Sequence, residues 1–144
     1  MYEIKCVDSM NFKMVKDFLK EVPDIEQIDD VILANASILF DENKVSGIIS
    51  YEAFFNYALI RYFVFKRNVT EEVVKELFAS VLERVNKEKI EYIFSLVNQE
   101  DIYNLFIDLE FKEVLKENVF IEEECYSNSK FKDTKLMIKK IICK

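Results

Sequence analysis

The apolar residues of this chain recur at two spacings, every second position in some segments and every third or fourth in others. The first spacing is typical of strands and the second of helices. Alternation over residues 2–7 predicts a first strand, and Asp8 or Ser9 is expected to cap the helix that follows. That helix should end at Pro23, and a short helical segment is expected over residues 25–32. The apolar face of the first helix comprises Phe12, Val15, Phe18, Leu19 and Val22.

The middle of the chain predicts three strands and one long helix. Residues 37–40 and 45–54 flank a polar turn, which predicts a hairpin with Gly47 just inside its second strand. Residues 57–65 form a third, strongly β-prone run. Asn68 or Thr70 is expected to cap the long helix that follows. Its wide apolar stripe comprises Val73, Val74, Leu77, Phe78, Val81, Leu82 and Val85.

The last third of the chain predicts three more strands and a short helix. A continuous apolar run at residues 90–97 indicates a buried strand, and a helix is expected over residues 101–109. Strands are expected at residues 114–122 and 136–142, on either side of a polar stretch. This order predicts an α/β fold in one domain spanning residues 1–144, with a mixed central sheet of about seven strands flanked by helices.

The rare residue types narrow the chemistry. Gly47 is the one glycine among 144 residues, so the chain cannot build a glycine-rich phosphate loop. It also contains no histidine, the side chain most used as a general base near neutral pH and the commonest metal ligand. No metal site is therefore expected. The formal charge of −7 argues against a nucleic-acid partner, because such binding depends on basic patches.

Cysteine usage and hydropathy indicate the compartment. Cys6, Cys125 and Cys143 show no C-x-x-C spacing, which indicates thiols in a reducing environment rather than a disulfide framework. The first five residues do not read as a signal peptide. The most apolar stretch, residues 54–65, is shorter than the ~20 residues of a membrane span. We therefore expect a cytoplasmic protein without a membrane partner.

Three segments resemble the GNAT acetyltransferase superfamily, and the predicted order of elements agrees with that family over nearly the whole chain. Residues 37–51 (SILFDENKVSGIISY) resemble its second and third strands, with Gly47 at the family's glycine position. Residues 61–85 (RYFVFKRNVTEEVVKELFASVLERV) resemble the acetyl-CoA segment, and residues 92–114 (YIFSLVNQEDIYNLFIDLEFKEV) resemble the next strand and helix. The resemblance implies a GNAT fold and a site for acetyl-CoA or CoA.

The residues that mark the pyrophosphate loop in this family are altered here. The family's Arg/Gln-x-x-Gly-x-Gly/Ala pattern falls on residues 69–74, where Val69 replaces the cation or amide and Glu72 and Val74 replace the small residues. Glu71 and Glu72 also put two carboxylates in the first helical turn, where they would repel a pyrophosphate. The same residues suit an ordinary well-capped helix, and that interpretation leaves the loop equally degenerate.

The family's other site residues are altered as well. Its proton donor, a tyrosine of the late helix, falls on Phe106, and the glycine after that helix falls on Glu110. Tyr103, one turn earlier, is the remaining hydroxyl candidate, against the alternative that it packs on a helix face. Glu52, at the end of a strand, is a candidate for a general base, against the alternative of a solvated carboxylate.

The resemblance also implies where acetyl-CoA would bind if the site survives. The main chain of Phe63, Val64 and Phe65 would hold the pantetheine arm. Lys66, Arg67 and Thr70 would then meet the phosphates, although Lys66 and Arg67 suit a solvated loop pair equally.

Two functional hypotheses follow. In the first, ordinary acetyl-CoA-dependent acetyl transfer is impaired or lost, and the protein acts as a binding or regulatory module, as a homodimer or with a protein partner. In the second, it is an active N-acetyltransferase that moves acetyl from acetyl-CoA to an amine, with non-standard phosphate contacts. The acceptor is not identified by the sequence.

Overall fold

The computed structural model describes residues 2–22, 25, 27–97, 100–113, 120–121, 124–125 and 135–141. The helices in these residues are α1 (Phe12–Lys20), α2 (Asp30–Leu33), α3 (Glu71–Lys87) and α4 (Glu100–Asp108). The strands are β1 (Tyr2–Cys6), β2 (Ser37–Asp41), β3 (Lys44–Ala53), β4 (Tyr57–Phe65), β5 (Tyr92–Val97), β6 (Lys112–Glu113), β7 (Phe120–Ile121), β8 (Glu124–Cys125) and β9 (Lys135–Lys140). Within this part of the chain, no helix combines the length and the hydropathy that a membrane span needs.

Seven strands form one mixed sheet in the order β1-β2-β3-β4-β5-β9-β6, and β7 pairs with β8 in a separate hairpin. Neighbouring strands of the large sheet are antiparallel, except that β4 and β5 are parallel. Parallel neighbours need a crossover connection, and α3 provides it. The predicted α/β fold with a mixed seven-stranded sheet is confirmed.

Helices cover both faces of this sheet. On one side, called here the α1 face, α1 and α2 bury a cluster with β2 and β3 that includes Val15, Leu33 and Ile48. On the other side, the α3 face, α3 and α4 bury a larger cluster with β3, β4 and β5 that includes Leu77 and Phe106. Truncating one such fully buried leucine to alanine costs about 2–5 kcal/mol, so these two clusters hold the layers together.

Helix α1 begins later than the sequence predicts. Its N-cap is Asn11, so the predicted cap at Asp8 or Ser9 is wrong. Asp8 instead closes the turn that precedes the helix, because its Oδ1 atom accepts hydrogen bonds from the amides of Met10 at 2.9 Å and Asn11 at 2.8 Å. A short polar side chain satisfies amides equally well in such a turn and at a cap, and the sequence does not separate the two.

Strand β5 is not buried on both faces as the apolar run predicts. Burial alternates along it: Ile93 and Val97 are buried on the α3 face, whereas Phe94 and Leu96 are half buried. The reason is that α1 and α2 pack on β2 and β3 and do not extend over β5. Most of the strand predicted at residues 114–122 lies outside the described residues, except for β7.

Candidate functional site

The parallel strands β4 and β5 separate partway along their length. Their paired residues are Tyr57 with Tyr92, Ala58 with Ile93 and Leu59 with Phe94. Beyond these pairs β4 continues to residue 65 and β5 to residue 97 without pairing to each other. We call the gap between residues 60–65 and 95–97 the wedge. Along it, the main-chain groups of β4 that face β5 have no partner among the described strands, so they remain available to a ligand with amide groups.

A bulge in β4 accounts for this separation. The register between β3 and β4 shifts between Ile48 and Ser50, where β4 contains one extra residue. Tyr62 lies at this point with φ 45°, in the left-handed region that a tyrosine rarely adopts. The Asp29 amide holds it there by donating to the Tyr62 hydroxyl at 2.8 Å. Because a bulge bends the strand that carries it, the end of β4 turns away from β5.

Aromatic rings line the α3 face of the wedge. The ring of Phe63 lies 5.0 Å from that of Phe65 and 5.1 Å from that of Phe106. The series continues through Phe111, 4.8 Å from Phe106, to Phe78, 5.6 Å further on. These spacings are those of favourable ring pairs, each worth about 0.5–1.5 kcal/mol beyond burial. The side chains beside the wedge therefore form one packed cluster that continues into the core.

Phe106, which the resemblance aligns with the proton donor, is part of this cluster. Its side chain is only 1% exposed, and it offers no hydroxyl. Tyr103 lies one turn earlier in α4, partly buried against the same core. It is therefore at least in part a packing residue, and its assignment as an acid remains a prediction.

The turn after α4 uses the position where the family has glycine. The Glu110 amide donates to the Ile107 carbonyl and the Phe111 amide to the Phe106 carbonyl, both at 2.9 Å. This pair of bonds defines a Schellman motif, which requires a left-handed residue at its centre. Glu110 adopts φ 71° accordingly. The turn thus has the backbone conformation that favours glycine, with glutamate in that position.

Gly47 is required by its contact with Phe65. The two residues pair across β3 and β4. A Cβ atom at position 47 would lie 2.5 Å from Cδ1 and 2.8 Å from Cε1 of the Phe65 ring. Only glycine leaves room for the ring in this place, so the one glycine of the chain supports a side chain at the edge of the wedge.

The loop between β4 and α3 carries the two candidate phosphate ligands. The Lys66 amide donates to the Ser46 carbonyl at 2.9 Å, and the Val69 amide closes a turn onto the Lys66 carbonyl at 3.1 Å. Lys66 and Arg67 are exposed, and neither forms an ion pair with another described residue. They do not balance Glu71 and Glu72, so their charges remain available to an anion.

Thr70 caps α3, as one of the two predicted candidates. Its Oγ1 atom accepts from the Val73 amide at 3.4 Å. Glu71 points along the helix to Lys75, with 3.8 Å between Oε1 and Nζ. Among the described residues, no side chain accepts a hydrogen bond from the amides of Glu71 and Glu72. The fit for a pyrophosphate is nevertheless poor, because the carboxylates of both residues lie in that turn.

A third carboxylate of α3, that of Glu76, faces the first strand. The Tyr2 hydroxyl donates to Oε2 of Glu76 at 2.7 Å. This hydrogen bond, followed by partial burial and the charges of Glu76 and Glu72, raises the pKa of Tyr2. The N-terminal half of α3 therefore presents negative charge both in its first turn and towards β1, which disfavours a phosphate-rich ligand there.

Glu52 is engaged in an ion pair. Its Oε1 atom lies 2.7 Å from Nη1 of Arg61 on the neighbouring strand, and both side chains are about one-third exposed at 32% and 35%. A general base at this position would have to share its carboxylate oxygen with the guanidinium of Arg61. The assignment of Glu52 remains a prediction.

Sequence reasoning missed Arg61 and Tyr62 as residues that shape the site. Arg61 was visible as a charge inside an apolar strand. The left-handed conformation of Tyr62 could not be predicted from the sequence, because glycine or asparagine is the residue that normally adopts it. Ser95, a polar residue of β5 beside the wedge, is buried.

The sequence matches no family model and no curated protein. Solved structures are similar in fold. The chain superposes with a TM-score of 0.73 on an acetyltransferase of GNAT family from Streptococcus pneumoniae, at 17% identity over 99% of this chain and 100% of that one. For the ribosomal-protein-S18-alanine N-acetyltransferase from Escherichia coli the TM-score is 0.71, at 11% identity over 100% and 96% of the two chains.

A third similar structure is much longer. It is N-acetylglutamate synthase from Neisseria gonorrhoeae, complexed with coenzyme A and N-acetyl-glutamate, with a TM-score of 0.73 at 11% identity. The match covers 99% of this chain but only 35% of the synthase. At these identities the comparisons show the fold alone: this chain has the fold of the GNAT N-acetyltransferases.

Proposed function

We propose that this chain is a GNAT-fold protein in which ordinary acetyl transfer from acetyl-CoA is impaired or lost, and that it acts as a binding or regulatory module. The observation that carries the proposal is the state of Phe106. Its ring is buried against Phe63, 5.1 Å between centroids, where a proton donor would be needed. General acid catalysis contributes about 10²–10⁴-fold to a rate, and phenylalanine has no proton to give.

A partly exposed aromatic patch supports the module half of the proposal. Phe55, at the turn between β3 and β4, is fully exposed. Beside it Phe54 stacks on Tyr57 at 4.8 Å, and Tyr57 meets the edge of Phe94 at 5.2 Å. Aromatic residues are enriched in the cores of protein–protein interfaces. We assign this patch to a protein partner or a second copy of the chain.

The second function, an active N-acetyltransferase with non-standard phosphate contacts, is favoured by a different observation. The wedge leaves main-chain groups of β4 open next to residues 63–65, as a pantetheine arm requires. Lys66 and Arg67, exposed at its mouth, offer two cations that no described carboxylate takes. In that case acetyl-CoA supplies the acyl group, and this chain's part is to bind and orient it.

Calorimetric titration with acetyl-CoA separates the two functions. The proposal expects no saturable binding at millimolar ligand and no thermal stabilisation. Micromolar binding would contradict the proposed loss of the acetyl-CoA site. Wild-type protein is to be titrated beside Lys66→Gln/Arg67→Gln, with Lys87→Gln as the control because Lys87 is an exposed lysine in the last turn of α3, far from the loop. Under the second function, the double variant weakens binding about tenfold and the control leaves it unchanged.

A matched pair of variants tests the electrostatic argument. Glu71→Gln/Glu72→Gln removes both carboxylates of the first turn and keeps good helix formers there. If charge is what impairs the loop, acetyl-CoA binding should tighten about tenfold relative to wild type. Glu83→Gln, on the same helix but far from the loop, is the control. Equal affinities in all three proteins would refute the assignment of the defect to these carboxylates.

A further inference from the structure

A second cavity lies at the far end of α3 from the wedge. Its volume is about 590 Å³, within the range of small-molecule sites. One side is formed by the α3 face that carries Ala79, Leu82 and Asn86, and the other by the end of β9 up to Ile141. At 1.5 Å rise per residue, the α3 part of its lining, from Ala79 to Asn86, lies about 12–22 Å along the helix from Glu71, so the cavity does not include the first turn of α3.

A mostly buried ammonium stands at its wall. The Lys139 side chain is 15% exposed, and its Nζ atom donates to the Leu109 carbonyl at 3.1 Å and to Oε2 of Glu110 at 3.2 Å. An ammonium has three N–H donors, and these contacts use two of them. The Glu110 side chain is 84% exposed, so its bond to Lys139 competes with water and is easily replaced.

The cation that faces the cavity from β9 is Lys139, because it lies two residues from both Met137 and Ile141, which are buried on the α3 face. Among the described residues, Lys112 and Lys140 border the cavity from the other face of the sheet, and Glu83 and Glu110 border it from α3 and from the turn after α4. The remaining lining is mainly apolar, with Leu82, Ile138 and Ile141. An apolar wall with one desolvated cation is complementary to a ligand that has an apolar body and one acidic group.

We propose that this cavity binds a small apolar carboxylic acid or similar organic anion. The acidic group takes the place of the Glu110 carboxylate on Lys139, and the apolar body packs on Leu82 and Ile141. This site does not depend on acetyl-CoA, so it stands whether or not the wedge is functional.

Two fluorescent probes that differ in charge test the site. 1-Anilinonaphthalene-8-sulfonate is an apolar anion, and N-phenyl-1-naphthylamine has the same aromatic body without the acid. The anion should bind wild-type protein at one saturable site. Lys139→Met should weaken the anion about tenfold and leave the neutral probe nearly unchanged, because only the anion uses the ammonium. Glu110→Gln should tighten the anion, since it removes the competing carboxylate.

Two further variants complete the design. Ala79→Trp fills the cavity from an exposed position of α3 and should abolish binding of both probes. This result does not depend on how Lys139→Met folds. Lys75→Met, on the same helix but outside the cavity, should change neither affinity. Equal anion affinities in wild type and Lys139→Met, weaker anion binding in Glu110→Gln, or undiminished binding in Ala79→Trp would each overturn the proposal.

Discussion

Replacing Gly47 by alanine tests whether the one glycine of the chain is retained for contact with Phe65. The added Cβ would lie 2.5 Å and 2.8 Å from two carbons of the ring, closer than nonbonded carbon atoms approach. Either the ring turns away or β3 and β4 move apart. A moving ring also leaves Phe63, 5.0 Å away, and so loosens the packing beside the wedge.

The magnitude follows from two opposing terms. Overpacking of this kind costs about 1–3 kcal/mol. Alanine gains about 0.5–1 kcal/mol over glycine in a strand, because the unfolded chain loses less freedom. The free energy of unfolding of Gly47→Ala should therefore fall by about 1–2 kcal/mol. In a Phe65→Ala background the clash is absent, and the same substitution should be neutral or stabilising.

Urea unfolding of the four proteins in this double-mutant cycle measures both effects. The expected coupling between the two positions is about 1–3 kcal/mol, the overpacking cost itself, and the slope of unfolding free energy against urea should stay constant. If Gly47→Ala is as stable as wild type, or is destabilised equally with and without the ring, the contact with Phe65 is not what requires glycine here.

Three further outcomes are expected. Glu110→Gly should raise the free energy of unfolding by about 0.5–1 kcal/mol, measured in urea, because the left-handed φ of 71° suits glycine and the exposed bond to Lys139 contributes little; a loss of stability would contradict the assigned turn. Thr70→Ala should lower the free energy of unfolding by about 1 kcal/mol through loss of the α3 cap, whereas Thr70→Ser should retain most of that stability. Burial, followed by the hydrogen bond to Glu88, raises the pKa of Tyr51 well above its usual 10.0. The stability that neutral Tyr51 contributes to the fold is therefore complete below about pH 10 and is lost as pH rises further. Unfolding monitored from about pH 9 to 11 should show a steeper loss of stability for wild type than for Tyr51→Phe, and parallel curves would refute the assignment.

Local patterns predicted those parts of the fold that depend on neighbouring residues in the chain. The bounds predicted for β4 agree with the structure, and the apolar stripe of α3 identifies residues such as Leu77 and Val81 that are fully buried. The start of α1 was wrong because Asp8 forms a turn and Asn11 the cap. The same residue types serve both purposes, so only the packing of the helix decides between them.

The shape of the wedge could not be read from the sequence, because it depends on pairing between strands. The β4 sequence is uniformly β-prone, yet its pairing with β5 ends at Leu59 and a bulge follows at Tyr62. The hydroxyl of Tyr62 accepts a hydrogen bond from the Asp29 amide, 33 positions away, and the Glu52 carboxylate accepts one from Arg61 on the neighbouring strand. Contacts of this kind arise only when the sheet and the α1 face are assembled.

Because Phe106 is buried, replacing it with tyrosine should not restore acetyl transfer. In Phe106→Tyr the new hydroxyl would enter a cluster where Phe63 and Phe111 lie 5.1 Å and 4.8 Å from the ring. A buried hydroxyl without a partner costs about 1–3 kcal/mol. We therefore expect lower stability and no gain in CoA release from acetyl-CoA in the presence of an amine such as spermidine.

The matched control is Tyr103→Phe, which removes a hydroxyl one turn earlier in α4 and keeps the ring. It should leave any residual CoA release unchanged if Tyr103 serves packing alone. If instead Phe106→Tyr is as stable as wild type and releases CoA faster, its hydroxyl must reach the wedge rather than the core. In that event the absence of a proton donor would be the main defect of this site, and the carboxylates in the first turn of α3 would be secondary.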